Sequence, residues 1–590
     1  AGTVEFVGTR DSRISIIADD TGLLESESLH AQLGTGIITI DSPGMLESVP
    51  SPTEPPARIH WGTGAEFALV QTEDGELSSR LRSARFEGAV LGTRADAVLQ
   101  TETLLATLDE DGPMESSLRS ITLTNGSMRS DSGSLTSDAM TIGFVPINQG
   151  TGVTPSTLNA DGSVLGISVD GRVETDQLDA ILVREMDGQT RVRSATAIGS
   201  TEFLGENQTQ ASGQRVELNT DNDMIHIIGS RGDKGSAGQG GSIIQGEDIW
   251  INTRSRSIQV NGPGTFDHDI VTDGVATGGH LNVKWTESMR FDDAIGSIEC
   301  AGDVVALSTP DAYTTDTLKA DRLEIDLTPT GETDQVHSPD AVVQDDQVTR
   351  ELLSARAYGR AVPGSESIPA SVESRTYDPQ QPERAIGVMY LEGPSIIADN
   401  QRQILRVPAP GMMVLMDRSN EDGADTPADD SSSVMPSTSG PGLTRMTWLG
   451  SMELDRIGGH ALVLNEVNIR HKSLATGRIS QLGCDRIDAT FSTPDNDMVN
   501  AGQVGAIALQ RADASGRVRF SDLERTLLSD YAVYDAAAGT LFAYADGNRL
   551  VTLRDSMEPT PVSARTLLWD LNKDLVEIDA PSPVRLPARP

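Results

Sequence analysis

IWINTRSRSIQVNGPG, residues Ile249–Gly264, decides the fold because the chain repeats it. LHAQLGTGIITIDSPG (Leu29–Gly44) and IIADNQRQILRVPAPG (Ile396–Gly411) share its length and its Pro-Gly ending. Counting back from the last glycine, apolar residues recur in pairs: Ile38 and Ile40, Ile258 and Val260, Leu405 and Val407. One polar residue separates each pair, Thr39, Gln259 and Arg406. That alternation is the period of a strand with one buried face. Further back, Leu29/Ala31, Ile249/Ile251 and Ile396/Ala398 match, and the middle of each segment is polar and turn-like. Each segment therefore reads as a β-hairpin closed by a Pro-Gly turn. A fourth copy, LLWDLNKDLVEIDAP (Leu567–Pro581), puts Val576 and Ile578 in the alternating places.

A second shared block follows each Pro-Gly. IHWGTGAEFAL starts at Ile59, VKWTESMRFDD at Val283 and MTWLGSMELDR at Met446. Trp61, Trp285 and Trp448 align, and so do Ala65/Phe67, Met289/Phe291 and Met452/Leu454, again at strand spacing. Three of the five tryptophans occupy this one slot, which chance explains poorly. A third block pairs Gly302-Asp-Val304 with Asn465-Glu-Val467 and, more loosely, with Gly88-Ala-Val90. LKADRLEIDL (Leu318–Leu327) then matches LGCDRIDATF (Leu482–Phe491) and LQTETLLATL (Leu99–Leu108). SARFEG, SATAIG and SARAYG, starting at Ser83, Ser194 and Ser354, look like one strand-and-turn element. Leu528–Asp555 reads as strand, turn, strand, Gly-Asn turn, strand.

The whole is an all-β chain of tandem antiparallel hairpin repeats. We divide it into a first repeat unit at 1–110, a connecting hairpin region of the same array at 111–240, a second unit at 241–390, a third at 391–495 and a partial copy at 496–590. The low aromatic content, 4%, and the abundance of glycine agree with short strands joined by turns. Residues 419–442 are acidic and rich in Ser, Pro and Gly, so they are expected to be disordered. They interrupt the third unit where Glu47–Ala57 interrupts the first. Residues 231–241 read as a flexible Gly-rich loop.

Composition excludes several functions. Asp and Glu number 87 against 46 Lys and Arg, a net charge of −41, which opposes nucleic-acid binding and docking on an anionic bilayer. No run of about 18 apolar residues marks a membrane span. The first residues, AGTVEFVG, are not a signal peptide, so the chain is either a mature or trimmed form or one that is not secreted. The two cysteines, Cys300 and Cys484, form no metal motif and are expected as buried free thiols. In the repeat register Cys484 stands where Ala320 stands, so it reads as a small core residue. Arg231-Gly-Asp233 and the glycines of 235–241 match an integrin tripeptide and, distantly, a phosphate loop, but no Gly-Lys-Ser/Thr follows. Asp267-His268-Asp269 is read as a solvated loop rather than a metal site. Carboxylate pairs such as Asp292-Asp293 are what an acidic chain contains by composition. No nucleophile or zinc-protease motif occurs, so no catalytic residue, metal or cofactor is expected.

With these blocks in place, the chain resembles the OstA/LptA/LptC family. The family's phrase, Ala-Asp-x-hydrophobic-x-hydrophobic with a Gly-Asn/Asp-Val turn, is echoed by Ala320-Asp321-Arg-Leu-Glu-Ile, Cys484-Asp485-Arg-Ile, Ala398-Asp399, Gly302-Asp303-Val304 and Gly547-Asn548. The resemblance touches most of the chain, through strand-and-turn phrases rather than catalytic signatures. Ordinary members have one unit, whereas this chain has about three and a half. What the resemblance implies is a β-taco, or incomplete β-jelly roll. It further implies an apolar trough for the acyl chains of lipopolysaccharide or a similar lipid, a periplasmic location, and partner β-taco proteins joined through edge strands.

Candidate trough residues are Ile38, Ile40, Trp61, Phe67, Ile258, Val260, Trp285, Met289, Phe291, Leu405, Val407, Trp448, Met452, Leu454, Val576 and Ile578. The same residues suit a filled core, and the sequence leaves both readings open. A closed β-solenoid scaffold without cargo is the alternative. A carbohydrate-active solenoid would need carboxylates recurring in register, and none is evident.

Overall fold

Alternation at period two persists through most of the molecule. The computed structural model describes residues 3–579, except 10–12, 19–21, 49–55, 72–76, 110–116, 148–151, 186–188, 206–208, 240–241, 273–274, 329–351, 365–366, 419–441 and 492–508 and single residues at 170, 231, 456, 475, 523, 572 and 574. Among the described residues there are 41 strands and no helix. The all-β class is therefore as expected. The chain forms two compact units, Ala1–Asn261 and Gly262–Pro590. Their boundary falls inside the Asn-Gly-Pro-Gly ending of the second hairpin copy. The expected disordered stretch 419–442 lies outside the described residues up to 441.

In the first unit, antiparallel pairing runs along two ladders. The first ladder starts with Thr3–Val7, Ser28–Gln32, Ile37–Ile40 and Gly64–Gln71. The second starts with Ile14–Ala18, Gly22–Ser26, Gly44–Glu47 and Arg58–Trp61. Leu77–Arg94 then belongs to both, pairing with Gly64–Gln71 through its N-terminal part and with Arg58–Trp61 through its C-terminal part. Long strands from here to Gln210–Asn219 also run through both ladders, and most of their pairings shift register where the ladder changes. Further on, Gln210–Asn219, Met224–Ile228, Ser242–Asn252 and Gly235–Gln239 close a circuit of pairings. Gly235–Gln239 is thus a strand held on both sides, not the loop its glycines suggested; backbone pairing outweighs glycine's weak strand propensity.

The place where a strand changes ladder explains the Gly-x-Val phrase. At Gly302-Asp303, two residues oppose the single Asp321, a β-bulge that bends the strand. Gly302 has φ +82° and Asp303 φ +41°, and a Cβ on Gly302 would stand 2.4 Å from Glu287 Cγ. The same two-against-one count puts Gly88-Ala89 opposite Glu102, Gly162-Ser163 opposite Asp176, Asn465-Glu466 opposite Asp485, and Gly516-Arg517 opposite Asp530. After each bulge the valine turns inward: Val90, Val164, Val304, Val467 and Val518 are all at most 2% exposed. Each such burial contributes about 1.5–3 kcal/mol. Cys484 pairs with Val467 just as Ala320 pairs with Val304, so the small core residue expected there is what the fold holds.

The Pro-Gly segments do not close the hairpins. Hairpins do form where expected, with Ala31 opposite Ile38, Ala398 opposite Leu405 and Trp569 opposite Val576. Their turns are the polar centres, however. Pro-Gly carries the chain from the first ladder to the second, so Gly44 and Gly411 each begin a new strand. At Gly262–Gly264 the crossing lies within the continuous strand Ser257–Thr272. Asp267-His268-Asp269 sits in that same strand rather than in a loop, Asp267 accepting from Asn282 Nδ2.

Candidate functional site

Cross-strand registers connect the inward residues into long apolar rows. In the first unit one row of the first ladder runs from Ile40 through Ala65, Phe86, Leu104, Leu123, Met140, Ala160, Leu178, Ala197, Val216 and Ile227 to Ile249. The second ladder supplies a row from Leu24 through Leu46, Ile59, Gly92, Leu99, Met128, Leu135, Gly166, Val173, Phe203, Ala211 and Ala237 to Ile244. No charged residue interrupts either row. The two ladders touch near the bends: Trp61 of the second lies 5.3 Å, ring to ring, from Phe86 of the first.

Burial falls with distance from the bend. Along one strand Met140 is 1% exposed, Ile142 6%, and Phe144 is only half-buried. Leu123 is fully buried while Ile121, two residues further out, is half-buried. Half-buried apolar side chains, Leu99, Leu135, Leu158 and Leu178 among them, pack against the buried core.

The second unit repeats the plan. Its first ladder holds a row from Phe291 through Ile298, Ile325, Ala355, Ala398, Leu405, Leu454, Ala461, Ala489, Ala512, Tyr534, Leu541 and Trp569 to Val576. Its second ladder runs from Phe266 through Val283, Ala306, Leu318, Val372, Leu391, Met413, Met446, Ile469, Leu482, Phe520, Leu527 and Leu553 to Val562. Phe520 and Trp569 bring the two ladders together, with ring centroids 6.0 Å apart.

The sixteen sequence-derived residues fall into three classes. Ile40, Trp61, Phe67, Val260, Trp285, Met289, Val407, Trp448 and Met452 are buried close to the bends. Ile38, Ile258, Phe291, Leu405, Leu454 and Val576 are half-buried. Ile578, opposite Leu567 on the last described strand, is 40% exposed. The structure pairs Ile38 with Phe67, Leu405 with Leu454 and Val407 with Met452.

The tryptophan slot has a specific cause. Trp61, Trp285 and Trp448 lie directly across from Gly44, Gly264 and Gly411. The two blocks read separately in the sequence are therefore one cross-strand pair. Trp61 Nε1 donates to the Ser42 carbonyl at 2.9 Å, and Trp448 Nε1 to the Ala409 carbonyl at 3.0 Å. Trp285 Nε1 is buried with no hydrogen-bond partner. There the chain carries Gly262 at φ +84° two residues before Gly264.

One row was not evident in the sequence. Two residues outward from the apolar row of the second ladder in unit 2, the inward positions turn polar except at Met389 and Leu415. Ser308, Asp316, Ser374, Met389, Leu415, Thr444, His471, Ser480, Asp522, Arg525 and Asp555 follow one another in register. Thr444 Oγ1 lies 2.9 Å from His471 Nδ1, and burial lowers the His471 pKa. Arg478 donates to the buried Asp522, and Arg525 Nε donates to Asp555 at 3.0 Å. Burial raises the Asp316 carboxyl, a hydrogen bond from Ser374 opposes this, and Asp311 adds to it. The only signal for this row in the sequence is its phase relative to strands far away in the chain.

Both cysteines are free and buried, and burial pushes each thiol up to about 12. Among the described residues, no group of three or more His, Cys, Asp or Glu side chains is placed to hold a metal ion.

No family model matches the chain. No curated protein matches it either. Among solved structures, the "Crystal Structure of TcdB2-TccC3" aligns over 94% of this chain at 8% identity with a TM-score of 0.08, too low to carry an argument. This chain spans 35% of that chain's length.

Proposed function

We propose that each unit is a β-taco whose two ladders form the walls of an apolar trough, and that the protein carries lipopolysaccharide or a similar lipid through the periplasm. The observation behind this reading is the burial gradient. Inward apolar side chains are sealed at the bend and half-buried further out, as Met140, Ile142 and Phe144 are on one strand. Each lipid methylene taken from water contributes about 0.8 kcal/mol, so a row of leucines and methionines suffices without any bond being made or broken. The lining role belongs to half-buried residues such as Ile38, Leu158, Phe291, Leu405 and Leu454. The tryptophans are wedges that hold the walls at the bend.

Partners of the same fold would join through edge strands. Thr3–Val7 pairs only with Ser28–Gln32 among the described residues, and Phe6 and Val7 are 50% and 73% exposed. Leu575–Asp579 likewise pairs only with Thr566–Asp570. An unpaired edge with apolar side chains is a template for strand addition. A filled scaffold is the competing reading, favoured locally by the Trp61, Phe67 and Phe86 cluster. Native mass spectrometry of the chain purified without detergent separates the two. Bound lipid released on denaturation is expected; a lipid-free protein that stays lipid-free after incubation with vesicles contradicts carriage.

A further inference from the structure

The polar row of the second unit has a consequence for the cargo's head group. It runs along the second ladder, two residues further from the bend than the apolar row, so acyl chains lying on Leu318, Val372 and Met446 place their polar end beside it. Its charges are nearly spent. Arg525 is tied to Asp555 and lies 5.5 Å over the Trp569 ring, while Arg478 is tied to Asp522. What remains to meet a ligand is Asp316 with Ser374, and Thr444 with His471. These are a carboxyl, two hydroxyls and an imidazole, with no uncommitted cation among them. Around this sits a chain of net charge −41. Anionic phosphates need arginine or lysine forks to replace their hydration, and a like-charged wall raises the cost of bringing them in.

We propose that the lipid held by the second unit presents an uncharged, hydroxyl-bearing head, such as a neutral sugar, to Asp316 and Ser374, which lie three strand spacings, about 14 Å, from the second such pair, Thr444 and His471, and that polyanionic lipids are disfavoured. This rests on the trough reading and narrows it. Lipopolysaccharide, with its phosphates, becomes the weaker candidate within the class.

Three lipids with matched acyl chains test it by competition for the full chain at about 0.15 M salt, where screening acts beyond ~8 Å, without divalent cations: a monohexosyl diacylglycerol, phosphatidylglycerol, and bisphosphorylated lipid A. The neutral glycolipid is expected to bind about tenfold tighter than phosphatidylglycerol, and lipid A weakest. Asp316→Asn is expected to narrow the gap several-fold by improving the anionic lipid. Equal or tighter binding of either anionic lipid by the wild-type chain overturns the head-group assignment and leaves the trough standing. Binding of none of the three overturns both.

Discussion

Gly44 and Trp61 face each other across two strands of the second ladder, so closely that a Cβ on Gly44 would lie 2.2 Å from Trp61 Cζ2. Gly411 and Trp448 repeat the relationship at 2.6 Å. The glycine is required because the indole occupies the space of its side chain and donates back to the crossing segment. Gly44→Ala and Gly411→Ala are each expected to cost about 1–3 kcal/mol, seen as a lowered Tm in calorimetry. Gly92→Ala is the control, since its Cβ would meet Leu99 at 3.5 Å, an ordinary contact. It should change stability by about 1 kcal/mol or less.

Replacing the tryptophans should not be uniform. Trp61→Phe and Trp448→Phe each lose a hydrogen bond and leave a carbonyl without its donor. Trp285→Phe removes a buried donor that already lacks a partner. All three lose similar volume, so Trp285→Phe is expected to be milder by about 1 kcal/mol. Equal losses at all three sites would count against a structural role for the indole hydrogen bond.

Much of this was legible in the sequence, for a reason that also sets the limit. Period-two alternation and the repeated Trp slot reveal strands, hairpins and the small core position of Cys484, because each depends on neighbours a few residues apart. The pairing of Gly44 with Trp61 was not legible, although both were singled out, because Pro-Gly looks like a turn whether it reverses a strand or carries it to another ladder. The polar row of Asp316, Thr444 and His471 was hidden for a similar reason. Its members come from strands up to a few hundred residues apart, and only the bulges at Gly302, Asn465 and Gly516 set their common phase. A one-residue slip would turn every one of them outward.

Cys300 and Cys484 should resist alkylation. With both thiols pushed up to about 12, the thiolate is scarce in the folded chain at pH 8. Iodoacetamide labelling is expected only after denaturation. The unfolded thiols ionise near pH 8.5, so each cysteine favours the folded state fully below that pH, and the benefit is lost as the pH rises toward about 12. Rapid labelling of the native chain at pH 8 would show that these sites open.

Acid should destabilise the second unit in two stages. His471 is lowered by burial, so the unfolded chain takes up its proton first as the pH falls. Its contribution is complete above about pH 6.5 and is lost below that. Asp485 is lowered by the hydrogen bond from Arg517, and Asp555 by the Met557 amide and then Arg525. Their contribution is present above about pH 4 and lost as the pH falls through the lowered values. Tm followed against pH should show both steps. His471→Gln is expected to remove the upper one, and Arg517→Ala to shrink the lower one.

If the trough carries lipid, inward rows touch it and outward rows do not. Leu158 and Asn159 are adjacent on one strand: Leu158 is half-buried in an inward row beside Ile142, and Asn159 faces outward, bonded to Asp179 at 2.6 Å. A photocrosslinking amino acid placed at each, in chains exposed to bilayer lipid, reads this directly. Lipid adducts are expected at Leu158 and none at Asn159. Adducts at neither position, or equally at both, would contradict carriage.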